Sequence, residues 1–192
     1  MVINANALVR QMKEAFKGGG YTVICDPKGT TIICCGYWAV EIDNADVPRQ
    51  ALSLMALHMG FLPEEGDAYK VIKGKGEPVI QTRIYDEAIK PIRELDAAAC
   101  VDTTSNAVIV KTILTYDGCN VWQGASADQS VLLVNPALEG IMARKRDSIV
   151  HRAGNALCLK GEVSKAYIMR VDMDKQKPQM DHMAAIRWPV EK

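Results

Sequence analysis

The run YTVICDPKGTTIICCGYWAVEI, from Tyr21 to Ile42, decides how this chain folds. It holds three β-rich stretches separated by two turn signals. Tyr21 to Cys25 is apolar and β-branched. Asp26-Pro27-Lys28-Gly29 is a turn, because proline presets φ at the second position and glycine accepts a positive φ at the fourth. Thr30 to Cys35 is the return strand. Gly36 interrupts it, and Tyr37 to Ile42 continues as strand. Trp38, Val40 and Ile42 share one parity, opposite to Tyr37, Ala39 and Glu41, so this last strand is expected to bury one face. Turns this short join antiparallel neighbours, which predicts a meander.

Helices flank the meander. From Ala5 to Lys17, Leu8, Met12, Ala15 and Phe16 form an apolar face. Asn4 or Asn6 caps this helix, and Gly18-Gly19-Gly20 stops it. After the meander, Asn44 or Asp46 caps a second helix, with Pro48 near its first turn and Gly60 at its end. Leu52, Met55, Ala56 and Met59 are its predicted stripe.

Ala68 to Lys73 and Pro78 to Tyr85 read as a hairpin around Lys73-Gly74-Lys75-Gly76. Asp86 to Ala99 suits either a short helix, with Pro91 in its first turn, or a connector. Asn106 to Tyr116 is a strand run, Asp117-Gly118 a hairpin turn and Val121-Trp122 the start of the return. Ser130 to Val134 is a strand. Asn135-Pro136 opens a third helix, which Arg144, Lys145 and Arg146 close with positive charge at the negative end of the dipole. Ala156 to Leu159, Lys165 to Met173 and Met183 to Val190 are further strands.

The expected class is therefore α+β, with mostly antiparallel sheets and a few helices. The boundary falls near residues 86 to 105. It predicts either two small α/β lobes, residues 1–95 and 96–192, or one continuous domain. The helices at 48–59 and 136–146 occupy comparable places after a strand, a faint internal echo.

Composition excludes several classes. The chain has 192 residues, enough for a sizeable core, and its 48% hydrophobic content is that of a globular protein. Lys plus Arg number 23 and Asp plus Glu number 23, so net charge gives no argument for nucleic acid, although a basic face can hide inside a balanced total. No apolar run approaches the roughly 20 residues that span a bilayer. The first residues carry no basic, apolar leader pattern. A cytoplasmic location follows, with the six cysteines reduced and mostly buried.

No catalytic pattern emerges. Lys73-Gly74-Lys75-Gly76 lacks the Ser or Thr and the helix that complete a phosphate loop. Cys34-Cys35 has neither zinc nor thioredoxin spacing, and a site from Cys25, Cys34 and Cys119 would need the fold to gather them. His58, His151 and His182 are isolated, with His151 expected to face solvent. His182 with Asp174 and Asp181 suits a general-base pair, and Asp172, Asp174 and His182 are the set that a metal-dependent hydrolase or nuclease would use. No catalytic residue, cofactor or metal is therefore expected. Trp38, Trp122 and Trp188 are candidates for core packing or for an interface. The basic sets Arg10, Lys13, Lys17 and Arg144, Lys145, Arg146 are candidate DNA contacts, joined by Arg152 in the second cluster.

Three groups of segments carry a family resemblance. They are Ala5 to Phe16 followed by Thr31-Ile-Ile-Cys-Cys-Gly-Tyr-Trp-Ala-Val-Glu-Ile42; Asn120-Val-Trp-Gln-Gly leading to Val131-Leu-Leu-Val-Asn-Pro-Ala-Leu-Glu-Gly-Ile141; and Ala184-Ala-Ile-Arg-Trp-Pro-Val190. The last resembles the closing strand of bacterial and phage DNA sliding clamps. The resemblance implies a clamp-like fold without catalysis, of the kind found in small phage and prophage proteins. A bacterial clamp chain has three such domains, so this chain would need several copies to close a ring. Two functions follow as expectations. One is an accessory protein acting by association, as a homo-oligomer or with a host or phage protein. The other is a sequence-independent sliding clamp on double-stranded DNA. Self-association is expected through exposed strand edges, notably Ile32 to Cys35 and Val131 to Val134.

Overall fold

The computed structural model describes residues 1–101, 108–124, 131–144, 148–171, 183–184 and 188–190. The elements in chain order are helix α1 (Ala5–Lys17), strands β1 (Tyr21–Asp26), β2 (Thr30–Cys35) and β3 (Trp38–Asp43), helix α2 (Arg49–Met59), and strands β4 (Ala68–Ile72) and β5 (Val79–Thr82). Then come helix α3 (Tyr85–Val101), strands β6 (Ile109–Tyr116), β7 (Cys119–Gly124) and β8 (Val131–Val134), the one-turn helix α4 (Pro136–Glu139), and strands β9 (Val150–Ala153), β10 (Ala156–Lys160) and β11 (Ser164–Met169). The order helix, three strands, helix, strands thus occurs twice, which gives the internal echo a structural form.

The class is α+β with antiparallel sheets. An eight-stranded sheet runs β5-β4-β1-β2-β3-β11-β10-β9, and a three-stranded sheet runs β6-β7-β8. Every neighbouring pair is antiparallel. The large sheet takes strands from both sides of residue 95, joined where β3 meets β11 from Trp38↔Ile168 to Ser164↔Ile42. The chain's opening residues tie to the second half as well, since Ile3 bridges Met142.

Both faces of the large sheet are covered. Val23, Ile33, Trp38, Val40, Ile42, Leu157, Leu159, Ala166 and Ile168 share one core with Leu8 and Met12 of α1 and with Leu54 and Met55 of α2. The alternate residues Ile24, Ile32, Ala39, Cys158 and Tyr167 pack with Ile89, Ile92 and Ala99 of α3. Period-2 alternation thus sends successive residues of one strand to different helices. Trp122, Leu132 and Val134 of the small sheet join the α1–α2 core, while Val121, Val131 and Leu133 form a third cluster with Met183.

Local chemistry explains most element ends. Asn4 caps α1 with its side chain on the Ala7 amide at 3.2 Å. Gly20 holds φ +86, and a Cβ there would stand 2.4 Å from the Val71 carbonyl, so only glycine lets β1 start beside β4. Gly60 ends α2 in the left-handed region.

Several expectations are corrected. The strand β3 buries Ala39 as well as Trp38, Val40 and Ile42, because α3 covers the face expected to meet solvent. The ambiguous stretch is a full helix of 17 residues, and it starts early enough that Pro91 lies inside it rather than in its first turn. The predicted third helix shrinks to Pro136–Glu139, so Arg144 does not sit on its last turn. Strand β9 was not expected, and it takes His151 and Arg152 into the sheet. Of the predicted closing strand, Val190 pairs with Thr112 as an isolated bridge.

Candidate nucleic-acid interface

Helices α1 and α2 pack side by side on one face of the large sheet. Their inward residues are apolar, apart from Gln11, whose Nε2 donates to the Ala137 carbonyl at 3.0 Å and docks α1 on α4. Their exposed charged residues are mostly basic, although α2 also turns Gln50, Ser53 and the 75% exposed Leu57 outward. Arg10, Lys13 and Lys17 are exposed on α1, against one acidic residue, Glu14. Helix α2 exposes Arg49 and contains no acidic residue.

Side-chain partners sort these cations. Lys17 pairs with Glu14 at 2.8 Å, both groups more than half exposed, so that pair is screened and weak. Arg10, Lys13 and Arg49 have no ionic partner among the described residues. Arg10 reaches towards α4, with Nη2 at 3.7 Å from where a Cβ on Gly140 would stand.

A stack of rings locks the two helices together. The rings of Phe16 and His58 lie 3.8 Å apart and 14° from parallel. The Tyr21 hydroxyl meets His58 Nδ1 at 3.0 Å. Burial pushes the Tyr21 hydroxyl well above its ordinary value, so it stays protonated, and the His58 tautomer sets which of the two groups donates. Burial, followed by the Lys13 charge, holds His58 below its ordinary 6.5.

The second basic set behaves differently. Arg144 lies 4.8 Å above the Trp122 ring and 3.7 Å from Glu139. Glu139 is buried and also takes Lys111 Nζ at 3.3 Å, Asn120 Nδ2 at 2.6 Å and Trp122 Nε1 at 3.3 Å. Arg144 is therefore committed to an internal cluster that pins α4 to the small sheet. Lys145 and Arg146 lie outside the described residues.

The tryptophans resolve by burial. Trp38 is 2% exposed and Trp122 is 0% exposed, so of the two expected roles, core packing or interface, both take core packing. Trp188 is half-buried, with its Nε1 donating to the Met183 carbonyl at 3.1 Å.

The opposite face carries α3 and the reverse charge. Asp86, Glu87, Glu94 and Asp96 outnumber Lys90 and Arg93 on this helix. Asp96 accepts from the Tyr167 hydroxyl and takes Lys165 Nζ at 3.0 Å, while Lys165 also reaches Glu41 at 3.0 Å. Burial acts to lower Lys165, but its hydrogen bonds to Glu41 and Asp96 outweigh it and raise the ammonium above its usual value. Between α3 and the sheet end runs a cleft of about 1010 Å³, lined by Thr22, Cys34, Tyr37, Ala88, Ile92 and Leu95 among others.

The cleft offers no activated nucleophile. Burial, then the neighbouring Cys35, pushes Cys34 up to about 12, and burial also raises Cys35. Both thiols stay protonated at neutral pH and react poorly. No group of three or more His, Cys, Asp or Glu among the described residues is placed to hold a metal ion, so Cys25, Cys34 and Cys119 are not brought together as ligands. Asp172, Asp174, Asp181 and His182 lie outside the described residues. His151 is half-buried rather than solvent-facing, and its Nδ1 has no hydrogen-bond partner among the described residues.

Arg49, Glu139 and Asp96 were missed from sequence. The signal for Arg49 was legible: it follows Pro48 at the helix start, in a helix without acidic residues. Nothing local marks Glu139 or Asp96, whose partners lie far along the chain.

No protein-family model matches the sequence, and no curated protein matches it. Solved structures do. The chain is similar to the β subunit of bacterial DNA polymerase III. With the Borrelia burgdorferi subunit, in complex with a natural product, it shares 10% identity at a TM-score of 0.37, over 88% of this chain and 62% of that one. With the Streptococcus pyogenes subunit the values are 8% and 0.36, over 89% and 64%. With the Helicobacter pylori β clamp, in complex with 3,4-difluorobenzamide, they are 9% and 0.35, over 91% and 66%. The chain spans less than two thirds of the length of each. No described helix is long and apolar enough to cross a membrane.

Proposed function

We propose that this chain is a non-catalytic protein that holds the backbone of duplex DNA, without reading its sequence, through the outward face of α1 and α2. One observation carries the reading: the helices on the two faces of the large sheet carry opposite charge, although Asp46, Glu64 and Glu65 are exposed beside α2. Arg10, Lys13, Lys17 and Arg49 stand against Glu14 on one side, and α3 is acidic on the other. A chain of zero net charge thereby gains a surface that attracts phosphate. Arg and Lys side chains are the usual partners of phosphate oxygens, and such contacts position a protein on the duplex without reading its sequence.

The test is duplex binding as a function of salt. Each phosphate contact contributes a slope of about −0.9 to log K against log salt, so three to four contacts predict about −3. The double change Arg10→Glu with Lys13→Glu should lower affinity at least tenfold at low salt and flatten the slope by about 2, equally for unrelated sequences. The matched change Lys90→Glu with Arg93→Glu on α3 should leave both unchanged. No binding at low salt, or equal losses from both pairs, overturns the reading.

Association with another protein is the second reading. The apolar cleft between α3 and the end of α1 favours it, being an accessible concave surface.

A further inference from the structure

The two edges that the sequence marked for association are not available. Strand β2 lies between β1 and β3 in the middle of the sheet. Strand β8 is at an edge, but its four residues are buried and its Leu133 carbonyl accepts from the Val171 amide at 2.8 Å. Of the other edges among the described residues, β9 and β6 are partly buried and β5 is exposed along its whole length. All four of its residues are exposed, with Val79 at 45%, Ile80 at 37% and the adjacent Ile84 at 63%.

The ladder fixes which of its backbone groups are unpaired. Strand β5 pairs β4 from Ile72↔Val79 to Tyr69↔Thr82, and the Arg83 amide continues it by donating to the Ala68 carbonyl at 2.8 Å. Hydrogen-bonded pairs alternate in an antiparallel ladder, so Val79, Gln81 and Arg83 turn their amides and carbonyls to β4. Ile80 and Thr82 therefore turn theirs outward, and so does Pro78, which has no amide to leave unpaired.

We propose that β5 pairs antiparallel with β5 of a second copy, about a two-fold axis through Ile80. A two-fold normal to the sheet places one residue opposite itself, and Ile80 is the central residue with outward backbone groups. In that register Ile80 exchanges both hydrogen bonds with its own counterpart. Val79 faces Gln81, Pro78 faces Thr82, and Glu77, in the bend that leads into β5, is brought towards Arg83 on both sides of the axis. Glu77 and Arg83 have no ionic partner among the described residues of their own chain. Cross-strand pairs of opposite charge stabilise a ladder and like charges oppose it, so this register is favoured over those that set Arg83 against Lys75 or against itself.

The axis direction has a consequence. It runs normal to the sheet, so both copies keep α1 and α2 on the same side. Two basic faces then address one duplex, and linked weak contacts gain by effective concentration.

Sedimentation of the whole chain without DNA tests the pairing. The expected result is a reversible dimer. Ile80→Pro removes an outward amide and no bond to β4, so it should give a monomer with unchanged circular dichroism. Glu77→Arg and Arg83→Glu should each weaken the dimer about tenfold, and the two together should restore it. A monomer at every soluble concentration overturns the proposal. So does a dimer or larger ring that survives Ile80→Pro, or a double variant no tighter than the singles. Charge reversal at Arg10 and Lys13 leaves this result unchanged, so failure of the DNA reading and failure of the pairing are distinguishable.

Discussion

The two faces of the eight-stranded sheet are built from the same strands but to different standards. Towards α1 and α2 the strands present Val23, Ile33, Trp38, Val40, Leu157 and Ile168, all large and nearly or fully buried. Towards α3 they present Ala39, Ala68, Ala153 and Cys158 between Ile24, Ile32 and Tyr167. Ala39 and Ala153 are among the residues that line the cleft beside α3. The large residues fill more of the other side, where a smaller cavity of about 370 Å³ remains beside α2. The first face holds by area removed from water, and the second adds a polar tether of Asp96, Tyr167, Lys165 and Glu41. The difference suggests that α1 and α2 belong to the cooperative core, while α3 is an attached layer that opens more easily.

Removing a plug from the dry face has the largest expected effect. Trp122 is fully buried, donates to Glu139 and lies under Arg144. Trp122→Ala empties a large volume and should cost about 3–5 kcal/mol in urea unfolding, followed by circular dichroism. Glu139 loses a donor too, leaving Lys111, Asn120 and Arg144 as its partners. A loss below about 1 kcal/mol would place this ring outside the cooperative core.

The tether is the next place to press. Asp96→Ala removes the acceptor of the Tyr167 hydroxyl and one of two carboxylates on Lys165. The carboxylate is partly exposed, so solvent screens its ionic share, and the cost should be about 1–3 kcal/mol. The location of the loss matters more than its size. Hydrogen exchange should quicken along α3 and stay slow along α1. Uniform quickening of both helices would show that the two faces open together, and the contrast between them would fall.

The same contrast explains what the sequence disclosed. Tyr21 to Ile42 revealed its meander because turn chemistry is local and Pro27, Gly29 and Gly36 announce it. The helix from Ala5 to Lys17 was legible for the same reason, with Asn4 and Gly18 at its ends. What is non-local stayed hidden. Alternation in β3 gave the face of Trp38, Val40 and Ile42, but Ala39 carried no sign that a helix 45 or more residues later would cover it. The edge at β5 was invisible because Ile32 to Cys35 is the more apolar run, and strand order is a property of pairing rather than composition. Among the basic residues, Arg10 and Arg144 looked alike. Only the fold separates a cation facing solvent from one stacked on a ring beside a buried carboxylate.

The smallest expected effect lies on the basic face and reports on it directly. His58 is held below its ordinary 6.5 by burial and then by Lys13. The unfolded chain takes up this proton near 6.5, and the folded chain only at lower pH. Stability is therefore complete above 6.5, declines as pH falls towards the folded value, and levels off below it. His58→Gln should remove that slope, and losing the stack on Phe16 should lower stability by a similar amount at every pH. The hydroxyl of Tyr21 can turn to accept from a protonated ring, so the cost arises from burial and from repulsion by Lys13 rather than from a lost hydrogen bond. Lys13→Gln should accordingly raise the His58 midpoint in an NMR titration. Duplex DNA should raise it as well, because a phosphate at Lys13 offsets the same charge. No such shift at low salt, with DNA bound, would move the contact surface away from Lys13. A midpoint at or above 6.5 in the unbound protein would remove the coupling between this ring and the helix beside it.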